Sequence, residues 1–159
     1  MLSLTLITVE KQQSSHIDEA LHEYIKRLTP YCKLNLTCIK PERLSDNPSE
    51  TEIAKALESE AKAIEKHFSP NVYTVALCIE GNRQTSEQFA ELIKNATDNY
   101  GKLTFIIGSS HGLAERIKQK ANLRLSMSSM TFPHKLAKVM LLEQTYRGFT
   151  ILNNKTYHK

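Results

Sequence analysis

The chain of 159 residues contains no tryptophan and only three cysteines, Cys32, Cys38 and Cys78, whose spacings form no CxxC pair. An odd number of cysteines without such a pair argues against a disulfide framework and against a cysteine-ligated zinc site. No neighbouring pattern marks an activated thiolate. We therefore expect free, buried thiols and no metal site.

Long apolar runs are also missing. No stretch approaches the roughly 20 residues that a membrane-spanning helix needs, so no membrane partner is expected. The first residues, "MLSLTLITVEKQQ", have neither a basic flank nor a small-residue cleavage pattern, and they predict a strand rather than a signal peptide. The expected location is the cytoplasm.

The usual glycine-rich nucleotide motifs are absent as well. The segment "GSSHG" at residues 108–112 has no GK[ST] ending and does not match GxGxxG. No glycine-rich turn follows the first predicted strand, which argues against a Rossmann-type cofactor site.

The charged residues are unevenly distributed along the chain. The net charge is +4 with histidine neutral, and the carboxylates lie mostly in the first two thirds. A modest positive charge favours a polyanionic partner only weakly. Basic residues gather in the last third at Lys118, Lys120, Arg124, Lys135, Lys138, Arg147, Lys155 and Lys159.

Hydrophobic patterns predict five strands that alternate with five helices. The strands are expected at 2–9, 33–40, 71–81, 102–108 and 123–127. The helices are expected at 14–28, 49–68, 85–101, 113–121 and 133–152. A serine is expected to cap the first helix, and Ser49 with Glu52 forms the pattern of a capping box for the second.

This alternation predicts an α/β domain with a largely parallel sheet. No internal repeat or low-complexity linker divides the chain, so residues 1–159 are expected to form a single domain.

Ligands of open parallel sheets bind beyond the carboxyl ends of the central strands. Three segments lie there: "LCIEGNRQ", "IIGSSHGL" and "LSMSSMTFPHK". From the residues alone, the turn around Gly108 is more often an ordinary strand-to-helix turn, and His111 is more often a solvated loop histidine than a base. The amphipathic "MSSMTFP" suits a ligand with apolar and polar parts, or packing beneath the last helix.

Together these segments resemble a known family. The order "LCIEG", "FIIGSSHGL" and "LSMSSMTFPHKLAKVMLLEQTYRGFTILNNKTYHK", with "YIKRL" near the front, is similar to the ribosomal RNA large subunit methyltransferase H (RlmH) family of the SPOUT class. The similarity covers essentially the full length. The "MSSMTFPH" segment and the "YR…YH" ending are specific to that family.

The resemblance implies a SPOUT-type sheet with helices on both faces and a C-terminal trefoil knot. It implies methylation of N3 of a pseudouridine in 23S rRNA of the assembled ribosome, by a homodimer that uses S-adenosylmethionine and has no DNA partner. The family's cofactor site, matched position by position, falls on Leu77, Gly108, Met127, Ser128, Ser129, Met130, Thr131 and Phe132.

The candidate catalytic residues are Glu143, Arg147, Tyr157 and His158. Glu143 and Arg147 are spaced for an i,i+4 pair on the last helix. The ending offers an aromatic ring, an imidazole and the ammonium of Lys159. Composition alone favours a frayed tail and a solvated ion pair, whereas the resemblance favours catalysis. His134 is expected to be structural.

Three departures from the family pattern stand out. Ser109 occupies the place of a second glycine, Cys78 the place of an acidic residue, and "TVEK" at 8–11 the place of "VGK". The last has no interpretation from sequence. The alternative function is a non-catalytic RNA-binding or ribosome-associated module of the same fold, from which binding of S-adenosylmethionine would distinguish an enzyme.

Overall fold

Five strands and five helices alternate strictly in the computed structural model, which describes all residues from Met1 to Lys159. The strands are β1 (Leu2–Val9), β2 (Cys32–Ile39), β3 (Tyr73–Arg83), β4 (Lys102–Ile107) and β5 (Leu123–Ser126). The helices are α1 (Asp18–Leu28), α2 (Glu50–Glu65), α3 (Ser86–Asn99), α4 (Glu115–Lys120) and α5 (His134–Leu152). No helix combines the length and the apolar character that crossing a membrane requires.

The strands form one sheet in the order β2-β1-β4-β3-β5, and every neighbouring pair is parallel. The prediction of a largely parallel α/β sheet is therefore confirmed. Because all five strands run in one direction, their carboxyl ends share one edge, which gathers the loops that follow them.

Helices cover both faces of the sheet, as predicted. Side chains of one face of β1, such as Leu4 and Leu6, pack with α1, α3 and α5 in the larger core cluster. Ile7 and Val9, which alternate with them, pack with α2 and α4 in the smaller one. Burial on both faces explains why the central strands are almost continuously apolar.

Of the two helix caps predicted from the sequence, one is present and one is not. Ser49 and Glu52 form the predicted capping box, and Thr85 forms another with Gln88. The serine cap expected for α1 is wrong, because Ile17 occupies the N-cap without a side-chain bond. The hydroxyl of Ser15 instead accepts the Ile17 amide at 3.0 Å, in the turn before the helix.

Helix α5 buries only part of its apolar surface within the chain. Leu141, Leu142, Thr145 and Gly148 are buried, whereas Val139 and Met140 remain partly exposed. These buried residues pack mainly between α1 and α3. A Cβ at Gly148 would lie 2.6 Å from a methyl carbon of Ile93 on α3, so the glycine permits this close approach.

Strand β3 continues past the expected end at residue 81 because it contains a bulge. Leu77 and Asn82 both pair with Leu125 of β5, and the residues between them leave the ladder. A Cβ at Gly81 would lie 2.7 Å from the carbonyl carbon of Leu125. After the bulge, Arg83 pairs with Ser126 at the end of β5, and α3 begins three residues later at Ser86.

Candidate active site

The residues predicted to hold the cofactor come from three adjacent strands. Leu77 pairs with Ile107 of β4 on one side and with Leu125 of β5 on the other. Gly108 follows β4 directly, and Met127 follows β5 directly. The structure therefore brings Leu77, Gly108 and the segment 127–132 to one edge of the sheet, as the sequence predicted.

The turn after β4 is held tightly. A Cβ at Gly108 would lie 2.3 Å from the carbonyl oxygen of Gly112, so no other residue fits there without moving the backbone. The Gly112 amide donates to the carbonyl of Ser109 at 2.8 Å, and Gly112 has a φ of +85°. The Ser109 hydroxyl donates to Glu60 of α2 at 2.8 Å. His111 is exposed and forms no side-chain hydrogen bond.

The segment 127–132, here called the β5–α5 loop, is shaped by its own hydroxyls. The Ser126 hydroxyl donates to the carbonyl of Ser128 at 3.0 Å, and the Ser128 hydroxyl accepts the Met130 amide at 3.0 Å. No backbone–backbone hydrogen bond engages residues 127–132. Met130 is 73% exposed, while Met127 packs against the core. Apart from the Ser128 carbonyl and the Met130 amide, the loop thus presents amides and carbonyls without a hydrogen-bond partner, beside the exposed side chain of Met130.

The four candidate catalytic side chains form one network. Arg147 donates through Nε to Glu143 at 3.1 Å and makes a second, shorter bond through its terminal nitrogen. The Tyr157 hydroxyl donates to the same Glu143 oxygen at 3.0 Å, and its ring lies 4.8 Å from the Arg147 guanidinium. Arg147 also lies 3.4 Å from Nδ1 of His158. The tail therefore folds back on α5 and is not frayed.

Further contacts tie this network to α3. His158 Nε2 lies 2.8 Å from Glu87, and Gln144 bridges Glu143 to Ser86 with two bonds of 2.8 Å. Since Nδ1 faces an arginine donor, it acts as the acceptor, and Nε2 carries the hydrogen toward Glu87.

The electrostatics fix the protonation of two members. The hydrogen bond that Arg147 donates to Glu143 raises the pKa of Arg147 above its already high value, so the guanidinium stays charged. Burial, with hydrogen bonding to Tyr24 and Glu143, raises the pKa of Tyr157 well above its usual range. Tyr157 is thus a neutral hydroxyl that donates throughout the physiological pH range.

A cavity of about 570 Å³ opens beside the network, between α1, α3, α5 and the end of β5. Its wall includes Glu143 and Arg147, and Met127 is the one predicted cofactor-binding residue in it. The side-chain oxygen Oε1 of Gln84, also in the wall, is buried and has no hydrogen-bond partner. A buried acceptor of this kind is free to bind a ligand donor.

Sequence reasoning missed several residues of this site. Tyr24, Gln84 and Gln144 line the cavity, and Glu87 holds His158. The position of Gln84 just after β3 was an available signal. Glu87 and Gln144 sit on helices and become neighbours only through packing, so no local pattern identified them.

The basic residues of the last third provide less free charge than the composition indicates. Seven of the nine lysines and arginines in residues 107–159 form ion pairs with carboxylates, among them Lys120 with Glu65 at 2.6 Å and Arg124 with Glu115 at 2.8 Å. Lys155 donates to the Tyr31 hydroxyl, and Lys159 has no such partner. The positive field of this region is therefore largely neutralised.

Known proteins match the chain over its whole length. The family model described as "Predicted SPOUT methyltransferase" matches residues 2–158. "Ribosomal RNA large subunit methyltransferase H" from Clostridium tetani is 41% identical and that from Clostridium botulinum strain Okra 43% identical, and each match covers 99% of this chain and 100% of the relative.

A solved structure, "a probable methylase family protein from Haemophilus influenzae Rd KW20", is similar in fold with a TM-score of 0.56 and 16% identity, over 98% of this chain and 70% of that one. Full-length identity near 40% and a family model that spans nearly every residue agree with the motifs at the sheet edge. The chain belongs to the SPOUT methyltransferases, as a member of their ribosomal RNA large subunit methyltransferase H family.

Proposed function

We propose that the enzyme methylates N3 of a pseudouridine in 23S rRNA of the assembled ribosome, with S-adenosylmethionine as the methyl donor. The names of the relatives support ribosomal RNA as the substrate. One structural observation carries the proposal. The network of Glu143, Arg147, Tyr157 and His158 borders a cavity that begins at the β5–α5 loop.

The sheet edge fits the cofactor. An adenine ring needs apolar walls and backbone hydrogen-bonding groups. Leu77, Met127 and Phe132 offer the first, and the backbone groups of 127–132 that have no partner within the chain offer the second. Gly108 keeps the neighbouring turn close and free of a side chain. When bound, S-adenosylmethionine supplies an electrophilic methyl group on a sulfonium.

The protein's part is to favour transfer of the N3 proton to water and to position the ring. Arg147 keeps its positive charge and can stabilise an imide anion in the adjoining cavity. Glu143, Tyr157 and His158 hold the guanidinium from three directions. Since both ring nitrogens of His158 are engaged, the tail orients Arg147 in this arrangement.

We also propose a homodimer that pairs through α5. The apolar residues of this helix that are not buried within the chain lie together, with Leu136 37% exposed and Val139 and Met140 half-buried. Light scattering should give twice the chain mass, and Leu136→Glu should give the single mass. Ile79→Glu, at an exposed apolar residue on the β3 bulge, is the matched control.

The trefoil knot and the cytoplasmic location belong to the same proposal. Packing of α5 between α1 and α3, with Lys155 bonded to Tyr31 and His158 to Glu87, supports a C-terminal segment that is enclosed by the rest of the chain. The crystallographic path of residues 108–159 tests the knot. A ribosomal substrate requires an enzyme located where ribosomes are.

The direct test is transfer of a tritiated methyl group from S-adenosylmethionine to assembled ribosomes and to naked 23S rRNA. Label is expected in ribosomes only, and mass spectrometry should place it on N3 of a pseudouridine. Ribosome binding without any transfer would favour the non-catalytic RNA-binding module. Label on another base or another RNA would refute the substrate assignment.

A further inference from the structure

A second cavity, of about 450 Å³, lies at the carboxyl ends of β1 and β2 on the face covered by α1 and α5. Leu6, Leu21 and Leu36 form its apolar part, and Leu36 is 47% exposed. Its remaining wall is polar and includes residues 10–14. We call it the β1–β2 cavity. The residues assigned above to the cofactor and to methyl transfer do not line it.

Glu10, within the "TVEK" segment, is the unusual group in this cavity. Its side chain is only 9% exposed. Oxygen Oε1 accepts the Thr8 hydroxyl at 3.2 Å and forms the ion pair with Lys138 of α5. The other oxygen, Oε2, is buried and has no hydrogen-bond partner. A buried carboxylate oxygen left unpaired is destabilising, so this atom favours a ligand that donates a hydrogen bond.

Together, Glu10 and Lys138 are complementary to a ligand that both donates and accepts hydrogen bonds. The side chain of Lys138 is equally buried, and an ammonium has three donors, of which the bond to Glu10 uses one. A free acceptor therefore lies beside free donors inside one cavity. Nucleobase edges present donors and acceptors side by side, and unpaired bases of RNA are read through such edges.

The position in the fold is one where open α/β sheets bind ligands. The chain leaving β1 enters α1 on one face, while the chain leaving neighbouring β2 enters α2 on the other face. Ligands bind in the crevice where connections diverge in this way. The methyl-transfer site uses the other side of β4, so this crevice is separate from it.

We propose that the β1–β2 cavity binds an unpaired nucleobase of the RNA substrate, held at its edge by Glu10 and Lys138 and at its faces by the three leucines. This proposal rests on the proposed function. Lys11, which is exposed, lines the cavity and forms no ion pair, is placed to meet the phosphate of the same nucleotide. The β1–β2 cavity would thus fix the RNA at a second point while another base is methylated.

The test uses the whole protein saturated with S-adenosylmethionine and the four nucleoside 5′-monophosphates as probes. At least one should shift the amide resonances of residues 8–14 with a dissociation constant of about a millimolar. Glu10→Gln, which removes the charge of the acceptor, should weaken that binding about tenfold or more. Glu23→Gln, in an exposed ion pair on α1, is the matched control and should change nothing.

A second variant keeps the test independent of the buried pair. Leu36→Arg places a large side chain into the mouth of the cavity without removing Glu10 or Lys138, and it should block the monophosphate. The same variant should raise KM for ribosomes about tenfold while kcat stays unchanged, since the remote contact contributes only to binding.

Absence of shifts at residues 8–14 at about 10 mM monophosphate overturns the proposal, as does equal binding by the wild type, Glu10→Gln and Leu36→Arg. Monophosphate binding with an unchanged KM for ribosomes overturns the assignment to the RNA substrate. The ribosome-labelling experiment separates the two ideas. Wild-type methylation without nucleotide binding removes this inference alone, and nucleotide binding without methylation removes the proposed function alone.

Discussion

The hydroxyl of Ser109 donates a hydrogen bond to the carboxylate of Glu60, 2.8 Å away, and so ties the turn after β4 to helix α2. Glu60 is only 5% exposed, and its second oxygen accepts the amide of Glu42 at 3.0 Å. The serine that departs from the family's usual second glycine thus satisfies a buried carboxylate of this chain. The departure is compensated within the structure and adds a contact between the turn at Gly108 and helix α2.

Replacing this serine should cost stability. Ser109→Gly leaves one oxygen of Glu60 buried without a partner, and we expect the free energy of unfolding to fall by about 1–3 kcal/mol. Urea unfolding followed by circular dichroism measures it. Ser110→Gly is the control, because Ser110 is exposed and forms no side-chain bond. Equal effects of the two substitutions would show that loop entropy, not the bond to Glu60, is responsible.

A substitution at an exposed position of the β5–α5 loop should weaken cofactor binding without changing the stability of the fold. Thr131 is exposed, so Thr131→Arg should leave the melting temperature unchanged while calorimetric affinity for S-adenosylmethionine falls at least tenfold. Thr51→Arg, at an exposed threonine of α2, is the control. Gly108→Val is a poorer probe, because its Cβ would clash with the backbone of Gly112. Wild-type affinity in Thr131→Arg would remove this loop from the cofactor site.

The C-terminal tail should matter for transfer rather than for cofactor binding. Deleting 157–159 removes two of the groups that hold Arg147, and methylation of ribosomes should fall by about two orders of magnitude with S-adenosylmethionine binding nearly intact. Lys159→Ala should have little effect, because Lys159 contacts no other group by hydrogen bond or ion pair. Full activity in the truncated enzyme would exclude the tail from the mechanism.

Tyr157→Phe separates the hydroxyl from the ring. The ring would still pack against Arg147 and Tyr146, but Glu143 would lose one donor. We expect a rate between those of the wild type and the truncated enzyme. Because the pKa of Tyr157 is raised, its ionisation should not appear in the pH–rate profile below pH 10.

The most buried thiol, Cys32, should react only slowly with alkylating reagents. Burial raises the pKa of Cys32 to about 11, so at pH 8 only about 0.1% of this thiol is ionised. Alkylation by iodoacetamide should be at least tenfold slower at Cys32 than at half-buried Cys38 in native protein, and equal in urea. Rapid native labelling of Cys32 would show that β2 opens readily.

Local patterns predicted the strands, the helices and the meeting of Leu77 with Gly108 at one edge, because alternation and parallel direction are properties of short segments. The pairing of Glu10 with Lys138 joins residues at opposite ends of the chain, and the "TVEK" departure had no interpretation without it. The sequence also did not indicate which face of α5 is buried. A helix packed between two others and a sheet has apolar residues around most of its surface, so periodicity does not identify its inner side.

The strand order has a consequence for how the chain is made. β4 is synthesised fourth but lies between β1 and β3, and Ser3 pairs with Lys102 across nearly a hundred residues. Until that segment leaves the ribosome, the nascent chain carries the β1–β2 pair and the single strand β3, whose apolar edges have no partner. Such edges are prone to pair with other chains. The period before Ile107 emerges is therefore when the growing polypeptide is most vulnerable to aggregation and most dependent on chaperones.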